Sequence, residues 1–336
     1  MHRKVKIAGG AGIAGVVLSF GIVLLFLNGA LTGGGGVPAR DAGGSNSFFD
    51  QFDMSDLRVP RDEIHRGGPP KDGIPALTGP DVVPVDEVDF LENDDRVLGV
   101  SFEGESRAYP IRLLNWHEAV NDRLGDTYFT AIYCPLCDSA SVFDRRIDGE
   151  VFEFGISGLL YNSNVLMYDR IHDALWSQIA FKAISGPHAG LPLGHLPWKL
   201  STFDQWRADH PGSTVATFNT GYRRNYERNP YEAYFQGEGL MFPAKGGSDD
   251  RLPEKEPVVG VQAEGFARAY PVEQVAAAPG GRVVDETPAG RIVLEASADG
   301  GSIRVVEKPE GVHTVHTFWF AWASFHPDTD LFDPER

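Results

Sequence analysis

Alternating apolar and polar residues occur twice in a similar pattern along the chain. Residues 98–110 read LGVSFEGESRAYP and residues 259–271 read VGVQAEGFARAYP, with eight of thirteen positions identical. In both segments the alternation runs on either side of Glu-Gly, which is typical of a β-hairpin closed by a tight turn. Two such similar segments in one chain indicate an internal repeat.

The same order of predicted elements follows each hairpin. A helical stretch comes next, IRLLNWHEAVNDRL at 111–124 and VEQVAAAP at 272–279, and then a strand, YFTAIY or RIVLEAS. We therefore predict an α+β, β-rich fold with two related lobes, one copy near residues 97–150 and the other near 258–308. Together they belong to a globular domain over residues 49–336, which is long enough to bury a large core without a disulfide.

The N-terminal segment has a different pattern, an uninterrupted apolar run from Ile7 to Leu27 behind three basic residues. This run matches the length of about 20 residues that a transmembrane helix needs, although a cleaved signal peptide is an open alternative. We expect residues 1–28 to be the anchor or signal segment and residues 29–48 to be a flexible Gly/Ser-rich linker. The expected location is the cell membrane, single-pass, with the globular domain on the extracellular side.

The charge of the chain limits its partners. The formal net charge is −17, from 47 acidic and 30 basic residues. Nucleic acids require basic patches, so they are excluded as partners. An acidic, lysine-poor surface is typical of a halophilic protein, in which salt screens the repulsion. The expected partners are the membrane, through the N-terminal helix, and an unknown small molecule or protein.

The only two cysteines, Cys134 and Cys137, lie in the segment YCPLCDSA. The following residues have β patterning around Asp148-Gly149, so we expect the pair on a turn between two strands. This position disfavours thioredoxin-type activation, which uses the start of a helix. It resembles half of a metal knuckle, while a disulfide and a pair of inert buried thiols remain alternatives.

Two thiolates alone rarely hold a metal ion, so a third ligand is needed. His117, in the block NWHE, lies one predicted helix away from the cysteines, and the second copy lacks both blocks, with alanines at 276–278. We therefore predict a transition-metal site formed by His117, Cys134 and Cys137. Copper is preferred over zinc because sulfur ligands favour Cu(I). A structural role for His117 is the alternative.

Residues 155–178 form a dense stretch of polar and aromatic side chains, GISGLLYNSNVLMYDRIHDALWSQ. Such a stretch can line a concave binding site, or its side chains can cap turns. The candidate ligand-binding residues are Asn115, Ser157, Tyr161, Asn162, Tyr168, Arg170, Trp176 and Gln178. In a catalytic site, Glu118 or Asp169 would transfer protons, although Asp169 and Arg170 are also expected to form an ion pair.

Several blocks of the sequence together resemble a known prokaryotic family. They read RDEIHRGGPPKDGIPAL, RAYPIRLLNWHEAVND, YCPLCDSASVFDR, GISGLLYNSNVLMYDR and FWFAWASFHPDTDLF, and they resemble the domain of unknown function 3179 over residues 59–332. The resemblance implies that the NWHE and CPLC blocks occur in related chains, often behind a signal or anchor, but it implies no activity. Many relatives have Gly-Thr or Asn-Ser where this chain has Asp138-Ser139, a difference that can alter the surroundings of the cysteines.

The leading functional hypothesis from the sequence is transition-metal binding, for metal delivery or oxidoreductase chemistry. One alternative is an extracellular ligand- or protein-binding module with a structural disulfide. The other is a thiol–disulfide oxidoreductase, for which the absence of a predicted helix after Cys137 is unfavourable.

Overall fold

Both predicted hairpins are present in the computed structural model, which describes residues 48–242, 244, 249–297 and 300–334. The strands Arg96–Phe102 and Glu105–Pro110 form the first hairpin, and Pro257–Ala263 and Phe266–Pro271 form the second. Glu103 and Gly104 make the first turn with positive φ angles of 53° and 84°. The Glu-Gly signal in the sequence therefore marks the turn correctly.

The described residues are rich in strands, in agreement with the predicted β-rich class. In chain order the strands are β1 (Ile64–Arg66), β2 (Leu77–Thr78), β3 (Val82–Pro84), β4 (Arg96–Phe102), β5 (Glu105–Pro110), β6 (Ala119–Leu124), β7 (Thr127–Cys134), β8 (Ser139–Asp144), β9 (Arg146–Ile147), β10 (Glu150–Val151), β11 (Phe154–Tyr161), β12 (Asn164–Asp169), β13 (Leu175–Ser177), β14 (Lys182–Ala183), β15 (Gly194–His195), β16 (Lys199–Thr202), β17 (Thr214–Ala216), β18 (Pro257–Ala263), β19 (Phe266–Pro271), β20 (Arg282–Thr287), β21 (Gly290–Ala296), β22 (Ile303–Glu307), β23 (His313–Phe318) and β24 (Asp330–Leu331).

The helices of the described residues are short. The α-helices are α1 (Ile111–His117), α2 (Phe203–Asp209), α3 (Glu232–Gln236), α4 (Val272–Ala277) and α5 (Trp319–Phe325), and single 3₁₀ turns lie at Phe49–Gln51, Arg61–Glu63, Val85–Glu87 and Pro279–Gly281.

Strands from both repeat copies join in one large sheet. Its order is β2-β6-β7-β8-β23-β18-β19-β24, with β15 also paired to β8. The copies meet where β23 pairs antiparallel with β8, at His316 and Ala140. The other sheets have the orders β16-β4-β5-β17-β3, β1-β11-β12-β13-β14, β20-β21-β22 and β10-β9. The two copies are thus fused through a shared sheet.

Each copy packs a tryptophan of a short helix onto a glycine of its hairpin. Trp206 of α2 lies over Gly99, and Trp322 of α5 lies over Gly260, where an added Cβ would come within 2.0 and 2.1 Å of the indole rings. Only glycine leaves room for a ring this close to the strand. The spacing WxxxHP is shared by both helices, and a histidine, His210 or His326, stacks on each indole with a centroid distance of 4.0 Å.

Each copy also repeats one polar cluster. Tyr109 donates a hydrogen bond to Asp122 Oδ2 at 2.7 Å, and Arg107 pairs with the same oxygen. In the second copy, Tyr270 and Arg268 make the corresponding bonds to Asp285. The RAYP segments are therefore scaffold in both copies. Their arginine and tyrosine side chains hold the hairpin to the strand that carries the aspartate, β6 in the first copy and β20 in the second.

The predicted helix over residues 111–124 is correct only as far as His117. Glu118 has a φ of 56°, which ends α1, and residues 119–124 form β6 instead. β6 pairs with β7 along its whole length, from Ala119 opposite Ile132 to Leu124 opposite Thr127. Tertiary strand pairing overrides the local helix pattern at this point.

The first copy contains a long insertion that the second copy lacks. Strands β9 to β15 lie between β8 and β16 of the first copy, whereas β22 and β23 of the second copy are separated only by residues 308–312. The insertion carries the polar stretch of residues 155–178, and β11 and β12 form its central pair.

The predicted anchor and almost all of the predicted linker lie outside the described residues. Among the residues that the structure does describe, no helix has the length and apolar character of a membrane span.

Replacing Gly260 by alanine tests the packing of Trp322. The added methyl overlaps the indole ring, so we expect the free energy of unfolding to fall by about 1–3 kcal/mol, measured by urea denaturation. Gly212→Ala is the control, because no atom lies within 4 Å of a Cβ at that position. Equal stability of the two variants would contradict the packing described.

Candidate functional site

The two cysteines lie on a buried turn between β7 and β8. Cys134 ends β7 and β8 begins at Ser139, with no helix after Cys137, as the sequence predicts. Both residues are free thiols with 1% and 0% of their surface exposed. The second copy fixes the turn, since Phe318 N–H and Thr317 Oγ1 donate to the Cys137 carbonyl at 2.7 and 3.2 Å.

Cys134 Sγ is surrounded by hydrogen-bond donors. Burial alone would raise the pKa of this thiol, but the Cys137 thiol and the backbone N–H groups of Val165, Cys137 and Leu136 donate to the sulfur and lower it below the ordinary value. Peptide N–H groups that converge on one point form an anion-binding nest. The arrangement therefore favours a thiolate at Cys134.

The pKa of Cys137 is shifted in the opposite direction. Burial and the neighbouring Cys134 raise the pKa of Cys137 well above the ordinary value. Its sulfur lies 3.3 Å from the carbonyl oxygen of Ser163, which can only accept. The two pKa values are thus shifted in opposite directions, down at Cys134 and up at Cys137.

Glu118 is a buried carboxyl group beside Cys134. Burial, reinforced by the neighbouring Cys134, raises the pKa of Glu118 well above the ordinary value. Its backbone has the left-handed conformation, which is uncommon for a residue with a long side chain. Two bonds hold that conformation, from Glu118 N–H to Leu114 O at 2.8 Å and from Tyr133 N–H to Glu118 O at 2.7 Å.

Asp138 connects the cysteine turn to both repeat copies. Its carboxylate accepts two bonds from Arg96, at 2.9 and 3.1 Å, and one from Tyr133 at 2.7 Å. On the other side it pairs with His316 of the second copy at 3.2 Å. Burial would raise the pKa of Asp138, but Arg96 and His316 outweigh it and hold the pKa well below the usual range.

A segment that follows the first copy covers the thiols. Tyr231 is buried and its pKa is raised, first by burial and then by the charges of Glu118 and Cys134. Tyr234 donates to the Leu136 carbonyl at 2.7 Å, and Ser163 donates to the Phe242 carbonyl at 2.7 Å. We call residues 229–242 the cover segment. It closes the site in this structure.

His117 is engaged away from the sulfurs. Nδ1–H donates to the Pro75 carbonyl at 2.7 Å, which leaves Nε2 to accept from the Tyr226 hydroxyl, also at 2.7 Å. Burial lowers the pKa of His117 to about 4, so the ring is neutral. Within the described part of the chain, no three His, Cys, Asp or Glu side chains are grouped so that they could hold a metal ion. The predicted ligand set of His117, Cys134 and Cys137 is therefore not assembled, because partners distant in sequence occupy both ring nitrogens.

One part of the polar stretch does support the cysteines. Gln178 Nε2 donates to Ser139 O and Ser141 Oγ at 3.1 Å each, and its Oε1 accepts from Ser139 Oγ and Asn164 Nδ2. Asn164 also donates a hydrogen bond to Cys137. Gln178 and Asn164 thus hold the strand that follows the cysteine turn.

The remaining predicted residues stabilise turns and strands. Asp169 accepts from the backbone N–H groups of Ile171 and His172 and from Trp176 Nε1, which makes it an anchor for the turn after β12. The expected ion pair of Asp169 with Arg170 is wrong, since Arg170 pairs with Asp72 and Glu153. A tight bend after β12 points the two neighbouring side chains apart.

Four more residues of the stretch also have local roles. Ser157 donates to the Leu166 carbonyl at 2.5 Å across the β11–β12 irregularity, and Tyr168 donates to Asp72 at 2.6 Å. Asn162 donates to the Ser324 carbonyl, and Tyr161 packs edge-on against Phe325. The contacts of Tyr168, Asn162 and Tyr161 tie the insertion to Asp72 and to α5.

Sequence reasoning missed several residues of the site. Arg96 and His316 were not recognised as partners of Asp138, and Tyr231 and Tyr234 were not recognised as the cover. Their separation from the cysteines along the chain leaves no local pattern to find. The one available signal was Asp138 itself, an acidic residue directly after Cys137.

The fold and the site define a β-rich protein with an internal repeat and a closed, buried dithiol. Residues 71–311 match a family described as "Protein of unknown function (DUF3179)". The chain belongs to this family, which confirms the resemblance of its sequence blocks. No curated protein and no solved structure matches the chain.

Replacing Asp138 by asparagine tests its role at the junction of the copies. Removing one partner of a buried ion pair costs about 3–5 kcal/mol, and we expect a loss of this order at pH 7 in chemical denaturation. Because the pKa of Asp138 is lowered by folding, its stabilisation is complete above the unfolded pKa and is lost as pH falls below it. The difference between the two proteins should therefore shrink as pH falls below about 4.

The control for this prediction is Asp209→Asn. This change removes the ion pair of Asp209 with Lys199, and the Asp209 side chain is 37% exposed. Exposed pairs contribute about 0–1 kcal/mol. An equal loss in both variants would show that Asp138 is an ordinary surface carboxylate.

Proposed function

We propose that this protein carries a thiol–disulfide exchange centre, in which Cys134 is the nucleophile and Cys137 the resolving thiol. The observation that supports the proposal is the set of donors around Cys134 Sγ, namely three peptide N–H groups and the Cys137 thiol. In thioredoxin-type pairs the start of a helix stabilises the thiolate. Here the turn itself and Val165 of β12 supply the same kind of donor, so a helix after Cys137 is not needed.

The proposed reaction uses a disulfide as the oxidant. The Cys134 thiolate attacks one sulfur of the substrate, which breaks the substrate S–S bond and forms a mixed disulfide. The departing sulfur takes the proton of Glu118. The Glu118 carboxylate then accepts the proton of Cys137, whose thiolate attacks Cys134 Sγ and releases the second substrate sulfur, protonated by solvent. The dithiol becomes a disulfide and the substrate becomes two thiols.

Glu118 suits this role because it is buried beside Cys134 and its pKa is raised well above the ordinary value. A group whose pKa is raised by burial can give a proton and take it back at neutral pH. Asp169 does not share this role, since its carboxylate is held in the turn after β12. The cover segment must open for a substrate to reach Cys134, because the thiols are closed off by Tyr231 and Tyr234.

Binding of a soft metal ion is the second candidate, and one observation favours it. The Cys137 thiol donates a hydrogen bond directly to Cys134 Sγ, so the two sulfurs are neighbours in an apolar, closed site. Two adjacent sulfur ligands favour Cu(I) over harder ions. In this version the site would use Cys134 and Cys137 without His117.

Trapping a mixed disulfide tests the exchange proposal. Full-length protein is incubated with bis(2-hydroxyethyl) disulfide and the products are read by intact mass. We expect Cys137→Ser to accumulate an adduct at Cys134, Cys134→Ser to form none, and the unchanged protein to lose two hydrogens. Adducts of equal amount on both variants, or on neither, would contradict the assigned roles.

Two further measurements complete this experiment. Glu118→Gln should slow adduct formation by about tenfold or more, because proton transfer is lost, while Glu105→Gln on the exposed hairpin should not.

Elemental analysis of the same reduced protein tests the second candidate, binding of a soft metal ion. Stoichiometric copper that disappears in Cys134→Ser would favour metal binding over exchange.

A further inference from the structure

Trp116 differs from the other tryptophans in its indole N–H. The chain has six tryptophans, and five of them donate to a protein acceptor: Trp176 to Asp169, Trp198 to His195, Trp206 to Ser213, Trp319 to the Asp249 carbonyl and Trp322 to Thr329. Trp116 is 5% exposed, and its Nε1 has no acceptor among the described residues. A buried donor without a partner costs about 1–3 kcal/mol, so a missing acceptor is indicated.

Arg224 places a positive charge near the Trp116 ring. Its guanidinium carbon lies 5.9 Å from the centre of the Trp116 ring, and its Nε is buried without a partner in the described part of the chain. The one hydrogen bond shown for Arg224 goes to the neighbouring Arg223 carbonyl. In a chain with a net charge of −17, a partly buried arginine that pairs with no described carboxylate is unusual.

The loop that carries Arg224 is fixed to the end of α1. Tyr226 bonds both His117 Nε2 and Thr220 Oγ1, at 2.7 and 2.6 Å, and Asn115 Nδ2 donates to Asn229 at 3.3 Å. Asn115 is 4% exposed and its Oδ1 has no described donor. Arg224 acts electrostatically on His117, so its positive charge lies near this end of the helix.

The second repeat copy shows that a helix at this position forms without these side chains. Pro110 and Pro271 are equivalent ends of the two hairpins, so Asn115, Trp116 and His117 correspond to the alanines at 276–278. The equivalent helix α4 forms with alanine at those positions. Helix formation therefore does not explain why Asn115 Oδ1 and Trp116 Nε1 are buried without a partner among the described residues.

We propose that Trp116 and Arg224 bind a carboxylate group of the substrate. A carboxylate accepts both the indole N–H and the guanidinium N–H groups, and charge-assisted bonds of this kind are strong. Trp116 belongs to the helix that Glu118 ends, and Glu118 lies beside Cys134, so the same helix end connects the carboxylate site with the cysteine turn. The substrate class is thus a disulfide that carries a carboxylate. That last step rests on the proposed exchange function, whereas carboxylate binding does not.

Direct binding is tested with propionate as the probe. Full-length protein is labelled with ¹⁵N-tryptophan, and the indole N–H signal of Trp116 is assigned by its loss in Trp116→Phe. We expect propionate to shift the Trp116 signal and to leave that of Trp322 in place, because Trp322 already donates to Thr329. Arg224→Gln should weaken propionate binding about tenfold or more, and neutral propionamide should cause no shift.

Two results would overturn the proposal. One is a Trp116 signal that propionate does not move, or that propionamide moves equally. The other is inorganic phosphate that shifts the signal at lower concentration than propionate, which would assign the site to phosphate groups.

The substrate class is tested separately with a matched pair of disulfides, 3,3′-dithiodipropionate and its neutral diamide. The ratio of kcat/KM for the acid to that for the diamide should fall about tenfold or more in Arg224→Gln. A ratio that does not change would overturn the substrate assignment. If neither disulfide reacts but propionate still binds, the exchange function fails and the carboxylate site stands.

Discussion

The site depends on one constraint, the need to hold a negative charge on sulfur where water is excluded. A charge in such a place is stable only when fixed dipoles replace the lost hydration. Three peptide N–H groups do this for Cys134, two from the cysteine turn and one from Val165 of β12. The lowered pKa of Cys134 therefore depends on the β11–β12 insertion, which packs on the turn, and on β23, which holds the Cys137 carbonyl.

Both repeat copies contain the contacts that stabilise the fold, but only the first contains the residues of the proposed reaction. Both contain the Arg-Tyr-Asp cluster and the tryptophan that lies over a glycine. Only the first contains the cysteine turn, Glu118 and the polar end of α1. The second copy contributes to the site from outside, since His316 pairs with Asp138 and Phe318 holds the Cys137 carbonyl. Repetition thus provided a rigid support on which one copy could carry a strained and desolvated site.

Local patterns in the sequence predicted the local features of this structure. The Glu-Gly hairpins and the cysteine turn without a helix were both visible from alternation and spacing. The partners of His117 could not be predicted, because Pro75 and Tyr226 reach it from distant parts of the chain. For the same reason the sequence placed His117 with the sulfurs, whereas Glu118, named from the sequence as a candidate proton-transfer group, lies beside Cys134. The polar stretch was ambiguous between a site wall and turn caps, and only Gln178 of the predicted residues in it contributes to the cysteine turn.

The most direct test of this account is the ultraviolet absorbance of the thiolate as a function of pH, compared between the unchanged protein and its Cys134→Ala and Cys137→Ala variants. The account predicts thiolate absorbance already at neutral pH, lost in Cys134→Ala and retained in Cys137→Ala. Retention should be partial, because the Cys137 thiol is one of the donors that stabilise the charge. Absorbance that appears only above the ordinary pKa of a thiol, about 8.5, or that is lost in Cys137→Ala alone, would contradict it.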